Sequence, residues 1–282
     1  MLADGLFCRD VGEGPPIVVL HGGPDFDHTY LRPELDRLAD GYRLVYYDQR
    51  GRGRSASGVR PEDVDLGSEV DDVDRVRRFF GLESVAVLGH SWGGVLAMAY
   101  ATRDPERVSQ LILIDTAPAG AADWQLLRDA FRRDRPAGDA EEMRAIAATD
   151  AYRRGDLDAE VAYNRIHFRM TLRQPELLEG LVGRLRSGWT PDGVLLARAI
   201  EDRLYDETSR SAEWDLLPAL RELDVPTLLV HGEHDFIPVE VAERIADAIP
   251  GARLSVLPGC GHFTYLEAPE RVAEEIARSG LF

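Results

Sequence analysis

Val85-Ala86-Val87-Leu88-Gly89-His90-Ser91-Trp92-Gly93-Gly94 is the stretch from which the rest of the chain is read. An apolar, β-branched run ends in Gly-His-Ser-Trp-Gly. It passes directly into a small-residue helix pattern, Val95-Leu96-Ala97-Met98-Ala99. A strand that breaks straight into a helix must turn sharply. Gly89 and Gly93 flank Ser91 where side chains would collide with neighbouring backbone. Such a turn lifts the serine hydroxyl out of the sheet and sets it at a helix N-terminus, as in the G-x-S-x-G nucleophile elbow. The bare letters recur by chance; the strand before and the helix after give them their meaning.

The surrounding chain supplies a sheet for that turn. Ile17-Val18-Val19-Leu20, Val108 to Ile114 and Pro226-Thr227-Leu228-Leu229-Val230 are continuous apolar runs, the pattern of strands buried on both faces. Arg43 to Tyr47 and Leu254 to Leu257 read as further strands, and residues 1–14 as an edge hairpin with Gly12-Glu13-Gly14 and Pro15-Pro16 as its turn chemistry. Helices are expected over Leu31–Leu38, over Val239–Ile249, from about Pro269 to Arg278, and after Ser68, which reads as an N-cap with Asp71 three residues on. Strands alternating with helices imply a parallel sheet with right-handed crossovers, whose ligands bind at the carboxyl ends of the strands.

Between about Ala121 and Ser211 the strand runs vanish. Helices are expected around Trp124–Arg133, Glu141–Arg153, Asp158–Leu172, Pro175–Arg186 and Val194–Tyr205. The segment is too long for a loop and reads as a helical cap over the strand ends. The expected organisation is a core of residues 1–120 and 212–282 with a cap of 121–211.

Composition excludes several classes. The 282 residues carry 33 basic and 50 acidic side chains, a formal net charge of −17, so nucleic acid and anionic membrane surfaces are not expected partners. Every one of those basic residues is arginine, which excludes a Schiff-base lysine and a lysine-based phosphate loop. No apolar run approaches the ~18–20 residues of a membrane span. Met1-Leu2-Ala3-Asp4-Gly5 shows no secretory signal, and Cys8 and Cys260 make no disulfide framework, so the cytoplasm is the expected compartment. Nothing in the pattern fixes an oligomeric state.

A serine hydroxyl needs a base to take its proton, and the base needs an orienting carboxylate. With an elbow serine first, an acid and then a histidine should follow, each just past a strand. Asp235 follows the strand ending at Val230, and His262 the strand ending at Leu257. Ser91 is therefore read as nucleophile, His262 as general base, and Asp235 as the group holding the imidazole tautomer. Asp115, which also ends a strand, is the rival acid. His90, His234, His28 and His167 read as packing, surface or cap residues. A metal held by His231, His234 and His262 is conceivable, but the spacing matches no common ligand motif. No metal and no cofactor is expected. Two N–H donors must meet the tetrahedral oxyanion; Trp92, behind the serine, and Gly23, in the loop after the first central strand, are the candidates. The arginines of Asp48-Gln49-Arg50-Gly51-Arg52-Gly53-Arg54-Ser55 read as structural ion pairs bracing the loop.

His21-Gly22-Gly23-Pro24, Asp48-Gln49-Arg50-Gly51-x-Gly53-Arg54-Ser55 and Gly89-His90-Ser91-Trp92-Gly93-Gly94, in that order, resemble the α/β-hydrolase fold and its proline iminopeptidase-like branch. The resemblance implies a mostly parallel central sheet flanked by helices with an inserted cap. It also implies release of N-terminal proline from small peptides, with cap and strand-end glutamates gripping the free amine. Two positions depart from the branch: Asp25 takes the fifth place of the His-Gly-Gly-Pro-Gly motif, and Phe236 follows the acid where some members carry an amine-binding glutamate. Asp25, or a cap acid such as Glu160 or Glu207, is expected to substitute. A small-molecule ester, an amide or a short peptide is thus the expected substrate. A carboxylesterase without aminopeptidase activity, and a non-catalytic ligand-binding protein of this fold, remain the alternatives. Ser91 in place of an acidic nucleophile argues against dehalogenase and epoxide-hydrolase chemistry.

Overall fold

The apolar runs form one sheet because each is too hydrophobic to leave either face in water. In the computed structural model, which describes residues 1–280, the strands are β1 (Leu2–Ala3), β2 (Leu6–Val11), β3 (Pro16–Leu20), β4 (Arg43–Tyr47), β5 (Val85–His90), β6 (Val108–Ile114), β7 (Thr227–Gly232) and β8 (Arg253–Leu257). Their order across the sheet is β1-β2-β4-β3-β5-β6-β7-β8. β2 pairs antiparallel with β1 and β4, and the remaining neighbours are parallel. The carboxyl ends of β3, β5, β6, β7 and β8 therefore share one rim.

Alternation along each central strand builds two cores. Val18, Leu20, Val45, Val85 and Val87 enter one, with side chains from the helices α1 (Leu66–Phe79) and α2 (Trp92–Arg103). Ile17, Val19, Leu44, Ala86 and Leu88 enter the other, on the opposite face.

After β6 the chain leaves the sheet through the helices α3 (Ala121–Asp134), α4 (Asp139–Ala147), α5 (Asp150–Arg153), α6 (Leu157–Arg169), α7 (Leu178–Gly188) and α8 (Pro191–Glu207). The way out and the way back touch: Gly120 bridges Asp215, and the Leu216 N–H donates to the Ala119 carbonyl at 2.8 Å. A short helix α9 (Leu217–Leu220) leads into β7. The helices α10 (Val239–Ala248), α11 (Thr264–Glu267) and α12 (Pro269–Arg278) follow. Among the described residues no helix is long and apolar enough to cross a membrane.

Several local expectations are corrected. The edge hairpin turns at Asp4-Gly5, both with positive φ (48° and 94°), and not at Gly12-Glu13-Gly14. An Asp-Gly pair suits that two-residue turn, whereas 12–15 carry the chain from β2 to β3. Leu31–Leu38 is not an α-helix; Pro33 splits it into 3-10 turns over His28–Leu31 and Glu34–Asp40. Asp65, not Ser68, caps α1: its carboxylate accepts the Ser68 N–H at 2.7 Å while Ser68 Oγ accepts the Asp65 N–H at 3.0 Å. The run expected as one helix over 141–153 breaks at Thr149, whose hydroxyl caps the next turn. α8 starts earlier than expected, because Thr190 accepts the Gly193 N–H and Pro191 takes the first turn.

The arginine-rich loop after β4 is held by ion pairs. Arg50 meets Asp72 at 2.6 Å, and Arg52 meets Glu69 with both side chains fully buried. Asp48 instead bonds His28 and the Arg54 N–H.

Candidate active site

Ser91 sits where β5 becomes α2, with φ 55° and ψ −118°, a conformation costly for a residue with a Cβ. The two glycines make the turn fit. A Cβ on Gly89 would lie 2.2 Å from the Gly93 carbonyl oxygen, and one on Gly93 would lie 2.2 Å from that of Leu20. The Ser91 carbonyl accepts from the N–H groups of Gly94 (2.9 Å) and Ala117 (3.0 Å), which fixes the strained residue from behind.

His262 follows β8 and Asp235 follows β7. His262 Nε2 is 3.0 Å from Ser91 Oγ, and His262 Nδ1 is 2.9 Å from Asp235 Oδ2. Burial pushes the His262 imidazole down to about 3, so it is neutral and able to accept a proton. Burial also raises the Asp235 carboxyl, to about 7, against the opposing pull of His231 and of the Ile237 and Phe236 N–H groups. A neutral imidazole between a hydroxyl and a carboxylate is the arrangement that removes a proton from oxygen.

Asp115 has a different task. It also stands at a strand end with positive φ (46°). Its carboxylate accepts the N–H groups of Gly232 (3.0 Å) and Thr264 (2.9 Å) and the Thr264 hydroxyl (2.8 Å). It braces the loops that carry Asp235 and His262. His231, His234 and His262 do not converge: His231 meets the Ile237 carbonyl, His234 lies outward beside Glu233, and His262 meets Ser91.

Trp92 opens α2, so its N–H is among the four that a helix leaves without an internal partner. Gly23 has φ 51°, and a Cβ there would strike the Phe26 ring at 2.1 Å. Both residues line, with Ser91 and His262, a cavity of about 330 Å³. Its walls are mostly aromatic and apolar, including Phe26, Trp124, Phe131, Phe168 and Phe236. The Phe236 ring lies 4.5 Å from the His262 ring. His167 from α6 also lines it, packed on Phe131 and Phe168 and pushed down to about 4 by burial.

A second cavity of about 220 Å³, lined by polar groups, adjoins the first, and Asp25, Phe26, His167 and Glu201 line both. Burial raises the Asp25 carboxyl to about 6, against the pull of Arg52 and Arg198. Glu201 is held well above the usual range by burial, and then by the charge of Asp25. Arg198 lines the same cavity and feels the charge of both acids, so two carboxyls and one guanidinium share this enclosed space.

The other acids singled out from the sequence are placed differently. Glu160 lines the second cavity, but its carboxylate is paired with Arg198 and accepts from Asn164 at 3.1 Å. Glu207, at the end of α8, lines neither cavity. It accepts the Leu66 N–H at 3.0 Å and ties α8 to the start of α1. Glu201 was missed by sequence reasoning. It lies beside the buried stripe Ala197, Ile200 and Leu204 of α8, and an acid in that register is the signal that could have found it.

A family model described as "alpha/beta hydrolase fold" matches residues 15–269. The chain is 29% identical to a proline iminopeptidase of Lactobacillus delbrueckii subsp. lactis, over 95% of this chain and 92% of that protein. It is similar to the crystal structure of a Mycobacterium smegmatis proline iminopeptidase, with TM-score 0.71 and 25% identity over 97% of this chain and 93% of that one. It is also similar to a thermophilic esterase from Thermogutta terrifontis, with TM-score 0.66 and 27% identity over 97% and 92%.

Proposed function

The chain is a hydrolase of the α/β-hydrolase fold family, similar to the proline iminopeptidases, and we propose that it works as a serine hydrolase with Ser91 as nucleophile. The observation that carries this reading is the 3.0 Å approach of His262 Nε2 to Ser91 Oγ, with Asp235 on the far nitrogen. As Ser91 Oγ bonds to the substrate carbonyl carbon, its proton moves to His262 Nε2. The carbonyl oxygen becomes an oxyanion that the Trp92 and Gly23 N–H groups meet. The imidazolium then gives its proton to the leaving nitrogen or oxygen, and an acyl-enzyme remains. Water attacks that ester with His262 again taking a proton, which returns to Ser91 Oγ as the acid leaves. Asp235 holds the imidazole and stabilises its charged form.

The acyl group in this reading carries a free amine, bound as a cation by Asp25 and Glu201, while the aromatic walls take its apolar body. Release of N-terminal proline from short peptides fits that cavity. The helical segment 121–211 serves as the cap that closes it and supplies Glu201. Cytoplasmic placement belongs to the same reading, in keeping with two free, buried cysteines. The test compares proline β-naphthylamide with its N-acetylated form, in wild type and Ser91→Ala. Preference for the free amine, abolished by Ser91→Ala, is the expected result; unchanged turnover in Ser91→Ala overturns the assignment.

A second reading, a carboxylesterase indifferent to the amine, is favoured by Phe236, which presents an apolar ring beside His262. Equal rates on free and acetylated substrates would select it.

A further inference from the structure

We infer that Tyr30 and His90 are positioning residues for hydrolysis at Ser91, because a hydrogen-bond chain of fixed direction runs through them from Gly22 to the main chain of His262. The inference rests on the serine-hydrolase reading above.

The Gly22 N–H donates to Tyr30 Oη at 2.6 Å. Tyr30 Oη lies 2.7 Å from His90 Nδ1, and His90 Nε2 lies 3.1 Å from the His262 carbonyl oxygen. Gly22, Tyr30, His90 and His262 are all buried. The two ends set the direction of every bond between them. An amide N–H can only donate, and a carbonyl oxygen can only accept. The Tyr30 hydroxyl therefore accepts from Gly22 and passes its own hydrogen to His90 Nδ1. His90 is left as the neutral tautomer, with its hydrogen on Nε2 facing the His262 carbonyl. Burial, and then the neighbouring His262 ring, disfavour the charged form of His90, in keeping with that tautomer.

The chain joins three loops that the sequence keeps far apart. Gly22 follows β3 and precedes the donor Gly23. His90 precedes the nucleophile, and His262 is the base. Gly22 is also wedged in place: a Cβ there would lie 2.8 Å from Tyr30 Oη and 2.8 Å from Ser91 Cβ. The Tyr30 main chain is anchored in turn, its carbonyl accepting from the Tyr265 hydroxyl at 3.2 Å. Tyr30 and His90 also line the larger cavity, but both His90 nitrogens and the Tyr30 hydroxyl are spent on each other, Gly22 and His262, so their polar atoms act through the loops they join. An oxyanion donor loses strength steeply with misalignment, so holding Gly22, the residue just before that donor, supports the transition state more than the bound substrate.

The test uses the full-length protein with p-nitrophenyl acetate, counting competent sites by fluorophosphonate titration. Tyr30→Phe keeps the ring and removes the chain's central hydroxyl. Loss of a whole oxyanion donor costs ~10²–10³ in kcat, so a loosened one should cost ~10-fold per titrated site, with KM within ~2-fold. Affinity for phenylboronic acid, a tetrahedral mimic, should fall by a similar factor. His90→Gln, whose amide offers one acceptor and one donor, should keep more kcat than His90→Phe, which offers neither. If Tyr30→Phe and His90→Phe both keep kcat per titrated site within ~2-fold of wild type, the proposal is wrong. Equal losses in His90→Gln and His90→Phe overturn it as well. A wild type that takes no label removes the serine reading and the chain with it. A wild type that labels normally beside unimpaired variants removes the chain alone.

Discussion

Asp25, from the loop after β3, and Glu201, from α8, line both cavities, and after burial the charge of Asp25 is the next influence that raises the Glu201 carboxyl. One acid comes from a loop of the sheet core and the other from the helical segment, so the amine-binding pair proposed above draws on both.

Asp25→Asn and Glu201→Gln should each weaken recognition of a free amine and spare neutral esters. A charge-assisted hydrogen bond contributes about 1.5–3 kcal/mol, so kcat/KM for proline β-naphthylamide should fall ~10–100-fold. For p-nitrophenyl acetate it should stay within ~3-fold. Steady-state kinetics on both substrates check this, and parallel losses on the two would contradict it.

Activity should fall on the acid side near neutrality. The working form has His262 neutral and Asp235 ionised. Burial raises the Asp235 carboxyl to about 7, so the active form is present above that pH and is lost as pH falls through it. A kcat/KM profile between pH 4 and 9, on an ester that carries no titrating group, measures the limb. A flat profile down to pH 5 contradicts the assignment.

Gly93→Ala should damage the fold before it damages chemistry. Its Cβ would come 2.2 Å from the Leu20 carbonyl oxygen, so β3 and α2 must part. Overpacking of this kind costs about 1–3 kcal/mol, and backbone gives way less readily than side chains. Urea denaturation followed by circular dichroism checks the loss. Gly41→Ala, where a Cβ meets nothing within 4 Å, is the control.

Arg52→Met should destabilise strongly, because it strands the Glu69 carboxylate in a fully buried position. Breaking a buried pair from one side costs about 3–5 kcal/mol, whereas replacing both partners with apolar residues is often near neutral. The double variant Arg52→Met/Glu69→Leu should therefore be more stable than Arg52→Met alone. Denaturation midpoints decide, and additive losses would contradict the pairing.

Much of this architecture is legible in the sequence because buried parallel strands leave a blunt signal. Ile17–Leu20 and Val85–Leu88 are apolar throughout, and the Gly-flanked Ser91 marks where one of them ends. Once the strand ends are known, few acids and histidines stand past them, and Asp235 and His262 do. The helical segment is harder to read. Its periodicity reports which stripe is buried but not what the stripe faces, so it does not distinguish Glu201 from Glu207 at the end of the same helix. Asp115 shows the converse limit. At a strand end it has the same local context as Asp235, and only the Gly232 and Thr264 donors reveal that it braces loops. The turn at Asp4-Gly5 was legible in principle, since both residues tolerate positive φ, but Gly12-Glu13-Gly14 carried the louder turn signal.

The most direct measurement is peptide mapping of the intact protein after reaction with a fluorophosphonate, alongside the rate of labelling in His262→Ala. The expected result is one adduct per chain, on Ser91, absent in Ser91→Ala and slowed by ~10³-fold or more without the imidazole. An adduct on another residue, or labelling of Ser91 at an unchanged rate in His262→Ala, would contradict a nucleophile activated by that histidine.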